Sequence, residues 1–308
     1  MNASPRLSAL DPQDPAGRSR LLAIADAAAS ADGADPFNEQ SRLDLGSGRR
    51  AGYLILDATD DPVGAAILGH GELDLVVAPD ARRAGYATAA LTELLDTEVG
   101  PLTAWSHGDH PGAHRLASTF GFEATRTLLQ LEMPLRSDST AGGARTPPPV
   151  AIEAFRPGTD DDEWVRLNAQ VFAFHPEQGA MSVDDLHERQ RESWFDAGDF
   201  LIARDDSGRM VGYNWLKVEN DGVEREGEIY VVGVDAASAG RGIGRQLMLA
   251  GLERLRQRGC SVATLYVEAD NDAAVGLYRS LGFTDRTVDV QFTRRVFPDG
   301  SNVAALVT

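Results

Sequence analysis

Residues 239–245, Ala239-Gly240-Arg241-Gly242-Ile243-Gly244-Arg245, set a glycine-rich turn between an apolar strand ending Val232-Gly233-Val234 and a long amphipathic helix. Strand, glycine turn and helix in that order hold phosphate. Glycine lets the backbone come close, and the unpaired N–H groups of a helix start point at the anion. Glu228 lies just upstream, in Gly227-Glu228-Ile229-Tyr230, where a carboxylate can take a proton. Tyr278 lies downstream, in Leu277-Tyr278-Arg279, where a phenol can give one. Taken singly, a strand-end glutamate and a packing tyrosine are the plainer readings. Their placing about an anion turn favours the chemical one: a base and an acid beside a bound phosphate compound.

The chain contains the turn twice. Leu75-Val76-Val77 and Arg82-Arg83-Ala84-Gly85-Tyr86-Ala87 repeat the strand and turn, with Val77 matching Val234 and Gly85 matching Gly242 at an offset of 157 (234 − 77 and 242 − 85). Phe120-Gly121-Phe122 and Leu281-Gly282-Phe283 repeat at 161 (282 − 121). A hairpin pattern precedes each turn: Tyr53–Leu56 and Val63–Ile67 about Asp60-Asp61-Pro62, then Phe200–Ala203 and Val211–Trp215 about Asp205-Asp206-Ser207-Gly208. Helical stretches open both copies, near Leu21–Ala29 and Trp164–Ala173. After the turns come apolar helical stripes, Ala87, Leu91 and Leu94 in the first copy and Met248, Leu252 and Leu255 in the second. The expected domains are residues 1–136 and 151–308, joined by a polar linker, 137–150, with Gly142-Gly143 and Pro147-Pro148-Pro149. Each reads as α+β, a mixed, mostly antiparallel sheet flanked by helices. In the first copy Tyr278 is matched by Ala117 at the offset of 161, and Glu228 by Gly71 at 157. Glu72 stands one residue away, which strand alternation puts on the other face. The first copy is therefore expected to bind without catalysing.

Composition restricts the partners. There are 47 acidic and 29 basic residues, a net charge of −18, which disfavours nucleic acid and anionic membrane. No run approaches the roughly 18 apolar residues of a membrane span, and residues 1–14 hold no apolar signal core. The one cysteine, Cys260, excludes an internal disulfide, suits a reducing compartment and is expected to be buried packing. A monomeric cytoplasmic protein is expected. His107, His110 and His114 cluster, but a metal site needs close-set ligands in a closed geometry; loop packing or anion contact is the expected role, with no metal. Asp160-Asp161-Asp162-Glu163 reads as the acidic start of a helix.

Three ligands compete for the turn. A dinucleotide fold needs a third glycine where Arg245 stands. A P-loop needs Gly-Lys-Ser/Thr, which the chain lacks. The third pattern is Gln/Arg-x-x-Gly-x-Gly/Ala, the acetyl-CoA turn of the GNAT acetyltransferase superfamily. Arg82-x-x-Gly85-x-Ala87 resembles it fully, and Ala239-x-x-Gly242-x-Gly244 departs only at its first position. Asn271-Asp272-Ala273-Ala274-Val275-Gly276, followed by Tyr278 and Leu281-Gly282-Phe283, resembles the superfamily's asparagine, tyrosine and Gly-Phe segment. This resemblance implies two acetyl-CoA turns. Val232, Gly233 and Val234 would then pair with the pantetheine amides, Asn271 to Gly276 would flank the pantetheine arm, and Tyr278 would stand near the CoA sulfur. Transfer to an amine needs a proton acceptor, a backbone donor for the oxyanion and a proton for the leaving thiolate. Glu228 and Tyr278 suit the first and last.

Three longer runs, Phe174-His175-Pro176-Glu177-Gln178-Gly179, Gly227 to Val234 and Leu265-Tyr266-Val267-Glu268-Ala269-Asp270-Asn271, resemble the mycothiol synthases, tandem GNAT enzymes, over nearly the whole chain. That resemblance implies acetylation of the cysteinyl amine of cysteinyl-glucosaminyl-inositol, with substrate contacts at Glu39, Glu177, Lys217, Glu228 and Tyr266. A sugar polyol with a protonated amine suits carboxylates and hydrogen-bonding side chains, although Glu39 and Lys217 read equally well as solvated charges. A tandem GNAT acting on another small or protein amine, and a non-catalytic acyl-CoA-binding module, are the alternatives.

Overall fold

The computed structural model describes residues 6–97, 100–135, 150–173, 176–218 and 225–295, so the expected linker lies outside the described residues up to Val150. The chain starts with β1 (Arg6–Ala9), α1 (Pro15–Asp32), α2 (Glu39–Ser47), β2 (Ala51–Leu56), β3 (Pro62–Gly69), β4 (Glu72–Val77), α3 (Tyr86–Thr97), β5 (Leu102–Ser106), α4 (Pro111–Phe120) and β6 (Glu123–Pro134). It continues with β7 (Ala151–Ala154), α5 (Asp161–Val171), α6 (Pro176–Gly179), α7 (Val183–Arg189), β8 (Phe200–Arg204) and β9 (Met210–Val218). Then follow β10 (Glu226–Val234), α8 (Ile243–Gln257), β11 (Val262–Glu268), α9 (Asp272–Leu281) and β12 (Thr284–Arg294). From the hairpin onward the repeated order is the one read from the sequence, but each copy opens with a strand, β1 or β7, rather than with a helix, and α2, α6 and α7 are additional.

Local chemistry sets the ends of the helices. Asp14 caps α1 by accepting from the Ala16 N–H, Pro15 takes the first turn, and Gly33 ends it at φ 76°. The two short helices that follow the parallel strands are built alike. His110 Nδ1 accepts from the Gly112 N–H at α4, Asn271 Oδ1 accepts from the Ala274 N–H at α9, and both helices stop at left-handed glycines, Gly121 and Gly282.

The chain forms two compact units. In the first, β1 to β5 lie side by side, antiparallel except for β4 with β5. On one face, Leu21, Ile24 and Ala28 of α1 pack with Leu54, Ile67 and Val76. On the other, Leu91 and Leu94 of α3 and Ala117 of α4 pack with Ala66, Leu68 and Leu73. In the second unit the order is β11, β10, β9, β8, β7, with β10 and β11 parallel. Trp164 of α5 is enclosed by Phe200, Tyr213 and Trp215, all with 0% exposure. The α8 face carries Gly212, Asn214 and Leu216, and Asn214 donates to the Leu247 carbonyl at 3.0 Å.

The units do not follow a division at residue 136. The first comprises Met1–Leu129 with Glu268–Asp270 and Thr287–Thr308; the second comprises Gln130–Val267 with Asn271–Arg286. The physical reason is strand pairing: Val290 to Arg294 of β12 pair antiparallel with Ser106 to Leu102 of β5, completing the first unit's sheet from the far end of the chain. Val290 and Phe292 are each 5% exposed in that unit's core. A fragment ending at residue 136 loses both side chains, worth about 3–6 kcal/mol together. Circular dichroism melts of the fragment are expected to show a lower, broader transition than the full chain. A transition as sharp and as high as that of the full chain contradicts this account.

Candidate active site

The second unit's site begins where two parallel strands part. β10 pairs with β11 from Glu226–Val262 to Ile229–Leu265, and no further among the described residues. On its other edge β10 stays paired with β9 up to Val234–Gly212, with one irregularity: Ile229 faces Leu216, Val231 faces Trp215, and Tyr230 is bulged between them. A bulge adds twist and re-aims the strand. Tyr230 is held there by the Arg189 Nε donating to its hydroxyl at 3.0 Å and by the rings of Trp194 and Trp215. Beyond it, Val232, Gly233 and Val234 make no ladder pair with β11 among the described residues.

The glycine turn lies at the open end. Gly240 and Gly242 have φ of 75° and 80°, and Gly242 starts α8 with no side chain capping it. The first helical bond runs from the Gln246 N–H to the Gly242 carbonyl at 3.1 Å. The N–H groups of Ile243, Gly244 and Arg245 therefore point out of the helix start, an anion cradle. Arg245 donates to Ser280 Oγ at 2.8 Å, which ties the start of α8 to α9. α9 carries Asn271 at its cap, Asp272 to Gly276 in its first turns and Tyr278 further on. Tyr278 is 6% exposed, and burial pushes its phenol up to about 12.

Glu228 is half-buried, across from Lys217 on β9 and Thr264 on β11. Lys217 holds its ammonium 5.6 Å from the ring centre of Trp194. Tyr266 is 48% exposed, and its hydroxyl accepts from Gln130 Nε2 at 2.9 Å. The second unit thus collects Glu228, Lys217, Tyr266 and Tyr278 with the turn. Glu177 lies on α6 and Glu39 opens α2; their side chains lie outside the described residues. Trp194, Arg189 and Gln130 carry no motif that marks them in the sequence, because each reaches the site by tertiary packing alone.

The first unit repeats the frame with other contents. β4 and β5 share the Glu72–Thr103 pair and then part, leaving a cavity of ≈ 480 Å³ lined by Leu75, Val76, Val77, Arg82, Arg83, Gly85, Tyr86 and Ala87 among others. Arg82 is spent on structure: it donates twice to Asp32 at 2.7 Å and once to the Val77 carbonyl at 3.1 Å. That hydrogen-bonded pairing holds the Asp32 carboxyl below its usual range. Arg83 has φ 65°, where the second turn has Gly240. Ala117 is the counterpart of Tyr278, as expected, since α4 and α9 begin and end at matching residues at the offset of 161.

The matching of Glu228 to Gly71 is corrected. β4 pairs with β3 without a bulge, Val77 with Gly64 through to Glu72 with Gly69. Counting ladder rungs from Val234–Gly212 in the second unit, the sixth is Glu228–Lys217. Tyr230 is one residue extra, so Glu72 and not Gly71 is the counterpart of Glu228. The neighbouring strand agrees, because Glu72 faces Thr103 as Glu228 faces Thr264. Of the histidines, His107 Nδ1 lies 3.0 Å from Asp289, His110 caps α4, and His114 pairs with Asp109. Cys260 is buried, and burial pushes its thiol up, which leaves it unreactive.

The sequence matches the Acetyltransferase (GNAT) family over residues 21–122 and again over 167–283. It is 45% identical to a mycothiol acetyltransferase of Clavibacter sepedonicus, across 94% of this chain and 96% of that one. It is 42% identical to a mycothiol acetyltransferase of Salinispora arenicola, across 94% and 97%. The chain belongs to the mycothiol acetyltransferase family. It is an N-acetyltransferase built as two tandem GNAT domains. Solved structures share that architecture: a GCN5-related N-acetyltransferase from Sphaerobacter thermophilus has a TM-score of 0.68 at 21% identity, covering 97% of this chain and 98% of that one. A tandem GNAT protein from the clavulanic acid biosynthesis pathway has 0.65 at 18%, covering 94% and 98%.

In this mycothiol acetyltransferase family member the Gly242 requirement is conformational. A Cβ there meets nothing within 4 Å, but φ of 80° is strained for any side chain and most for a β-branched one. Gly242→Val is expected to weaken CoA binding at the second turn by on the order of 10- to 100-fold, 1–3 kcal/mol of strain, with Gly242→Ala milder. Calorimetric titration with CoA checks it; equal affinity for wild type and Gly242→Val contradicts the cradle.

Proposed function

We propose that the second unit transfers the acetyl group of acetyl-CoA to the cysteinyl amine of cysteinyl-glucosaminyl-inositol, giving mycothiol. The observation that carries this reading is the placing of Glu228 beside parted strands whose gap leads to an uncapped helix start, with Tyr278 on the helix tied to that start. Family membership supports the substrate, since the relatives are named for mycothiol acetylation. Acetyl-CoA supplies an activated thioester, and the residues present fit it: left-handed glycines for the pyrophosphate and an unpaired strand edge for the pantetheine amides. The same features favour acetyl-CoA in the first unit, without transfer. Use of acetyl-CoA and a single cysteine favour a cytoplasmic reaction on a small molecule.

Glu228 attracts the substrate ammonium and takes its proton as the nitrogen becomes bonded, directly or through one water. Backbone N–H groups of β10 past Ile229 face the gap and suit the oxyanion. Lys217 and Tyr266 present a cation and a hydroxyl for the hydroxyl-rich remainder of the substrate. Tyr278 differs from a free proton donor. Its phenol at about 12 stands well above a thiol near 8.5, so complete transfer to the leaving sulfur is uphill by roughly 5 kcal/mol. Tyr278 therefore stabilises the sulfur chiefly by hydrogen bonding.

The reaction is tested by mass spectrometry of the amine substrate incubated with enzyme and acetyl-CoA; a product without the added acetyl mass overturns the reading. Glu228→Gln is expected to lower turnover by about 10²–10⁴-fold while CoA affinity persists, with partial recovery at high pH. Wild-type turnover at saturation removes Glu228 from the mechanism. Tyr278→Phe is expected to lose about 10- to 100-fold, the worth of one hydrogen bond to a charged group. Because burial raises the phenol, Tyr278 stays protonated through the neutral and mildly alkaline range, so wild type and Tyr278→Phe are expected to share one pH profile. An alkaline fall in activity that disappears in Tyr278→Phe contradicts that assignment.

A further inference from the structure

The corrected register shows that the first unit has the carboxylate of an acceptor site after all, and that a cation of the chain already sits on it. Arg50 has 1% side-chain exposure. Its Nη1 donates to Glu72 at 3.1 Å and to Ser41 Oγ at 3.0 Å. Its Nη2 donates to Asp74 at 2.7 Å and to the Ile67 carbonyl at 3.1 Å, while Nε is buried without a partner. By rung counting Glu72 is the counterpart of Glu228, and Asp74 that of Val231. Two carboxylates therefore line the first unit where the second has one. Burial raises Asp74 despite the arginine beside it. Gly69, counterpart of Lys217, makes room: a Cβ there lies 3.2 Å from Arg50 Cγ.

We propose that Glu72 and Asp74 form the acceptor subsite of the first unit, a receptor for a primary amine or guanidine, and that Arg50 is its built-in occupant. The inference rests on the reading that the first turn holds acetyl-CoA. A cofactor bound in the adjoining cavity meets a guanidinium that is hydrogen-bonded, charged and non-nucleophilic. The thioester is then kept from amines. Removing the arginine opens the site. The amine nitrogen attacks the thioester carbon, the C–N bond forms, and the C–S bond breaks with its electron pair on sulfur. The nitrogen's proton passes to Glu72. The thiolate takes a proton from water, since Ala117 offers no hydroxyl.

The test uses the full chain carrying Glu228→Gln, so that the second unit is slow. Arg50→Ala leaves Asp74 buried without its partner, so that substitution is measured both alone, with the two carboxylates intact, and combined with Asp74→Val, the residue type at Val231. Release of CoA thiol from acetyl-CoA by ethylamine is expected to rise on the order of 10-fold over Glu228→Gln alone, and to fall back when Glu72→Gln is added. No rise, while equilibrium dialysis finds two equivalents of acetyl-CoA per chain, overturns the proposal. No rise with a single equivalent bound overturns instead the reading of the first turn. The subsite is then judged without CoA: millimolar methylguanidinium is expected to raise the melting temperature of Arg50→Ala above that in sodium chloride of equal ionic strength. Equal melting temperatures in the two salts overturn the subsite as well.

Discussion

The site depends on a parallel ladder that stops early. β10 and β11 share four rungs and then part, and where they part a bulge at Tyr230 adds twist to β10 while it stays paired with β9. Backbone groups left unpaired in a protein interior are costly, at about 1–3 kcal/mol each. A gap of this kind persists only where water or a ligand satisfies them, and here its far end leads to a helix start with three outward N–H groups. The aromatic cluster behind the bulge, with Trp215 at 0% exposure and the Arg189 bond to Tyr230, fixes the irregularity in place.

Duplication makes the comparison internal. Both units part their parallel strands, both start the next helix from a left-handed glycine, and both cap the last helix with a side chain from the loop before it. What differs is the bulge at Tyr230 and the side chains at a few positions. Tyr278 becomes Ala117, a core residue, and Val231 becomes Asp74, which recruits Arg50. On the proposed function, a frame that holds acetyl-CoA is separated from one that delivers it by a hydroxyl and a cation.

Much of this was legible in the sequence. The glycine turns, the left-handed helix stops and the repeat are local signals, and positive φ at Gly85, Gly121, Gly242 and Gly282 is what those glycines are for. The bulge was not legible. Ile229-Tyr230-Val231-Val232 is apolar throughout, so an extra residue leaves no mark on strand alternation, and a fixed offset misplaced Glu228 by one rung. Nor was the pairing of β12 with β5, because an amphipathic strand looks alike whichever edge it joins. Arg50 is the second of two adjacent arginines before a strand, and only the fold brings it to carboxylates 22 and 24 residues on.

That one unit delivers acetyl while the other only holds it is the claim on which the account stands. Rapid quenching measures it directly. Chain preloaded with radiolabelled acetyl-CoA and freed of excess is mixed with saturating amine substrate and unlabelled acetyl-CoA. The account predicts one equivalent of label in the product during the first turnover, with a second equivalent still recovered as thioester. Two equivalents in the product at the same rate would contradict it.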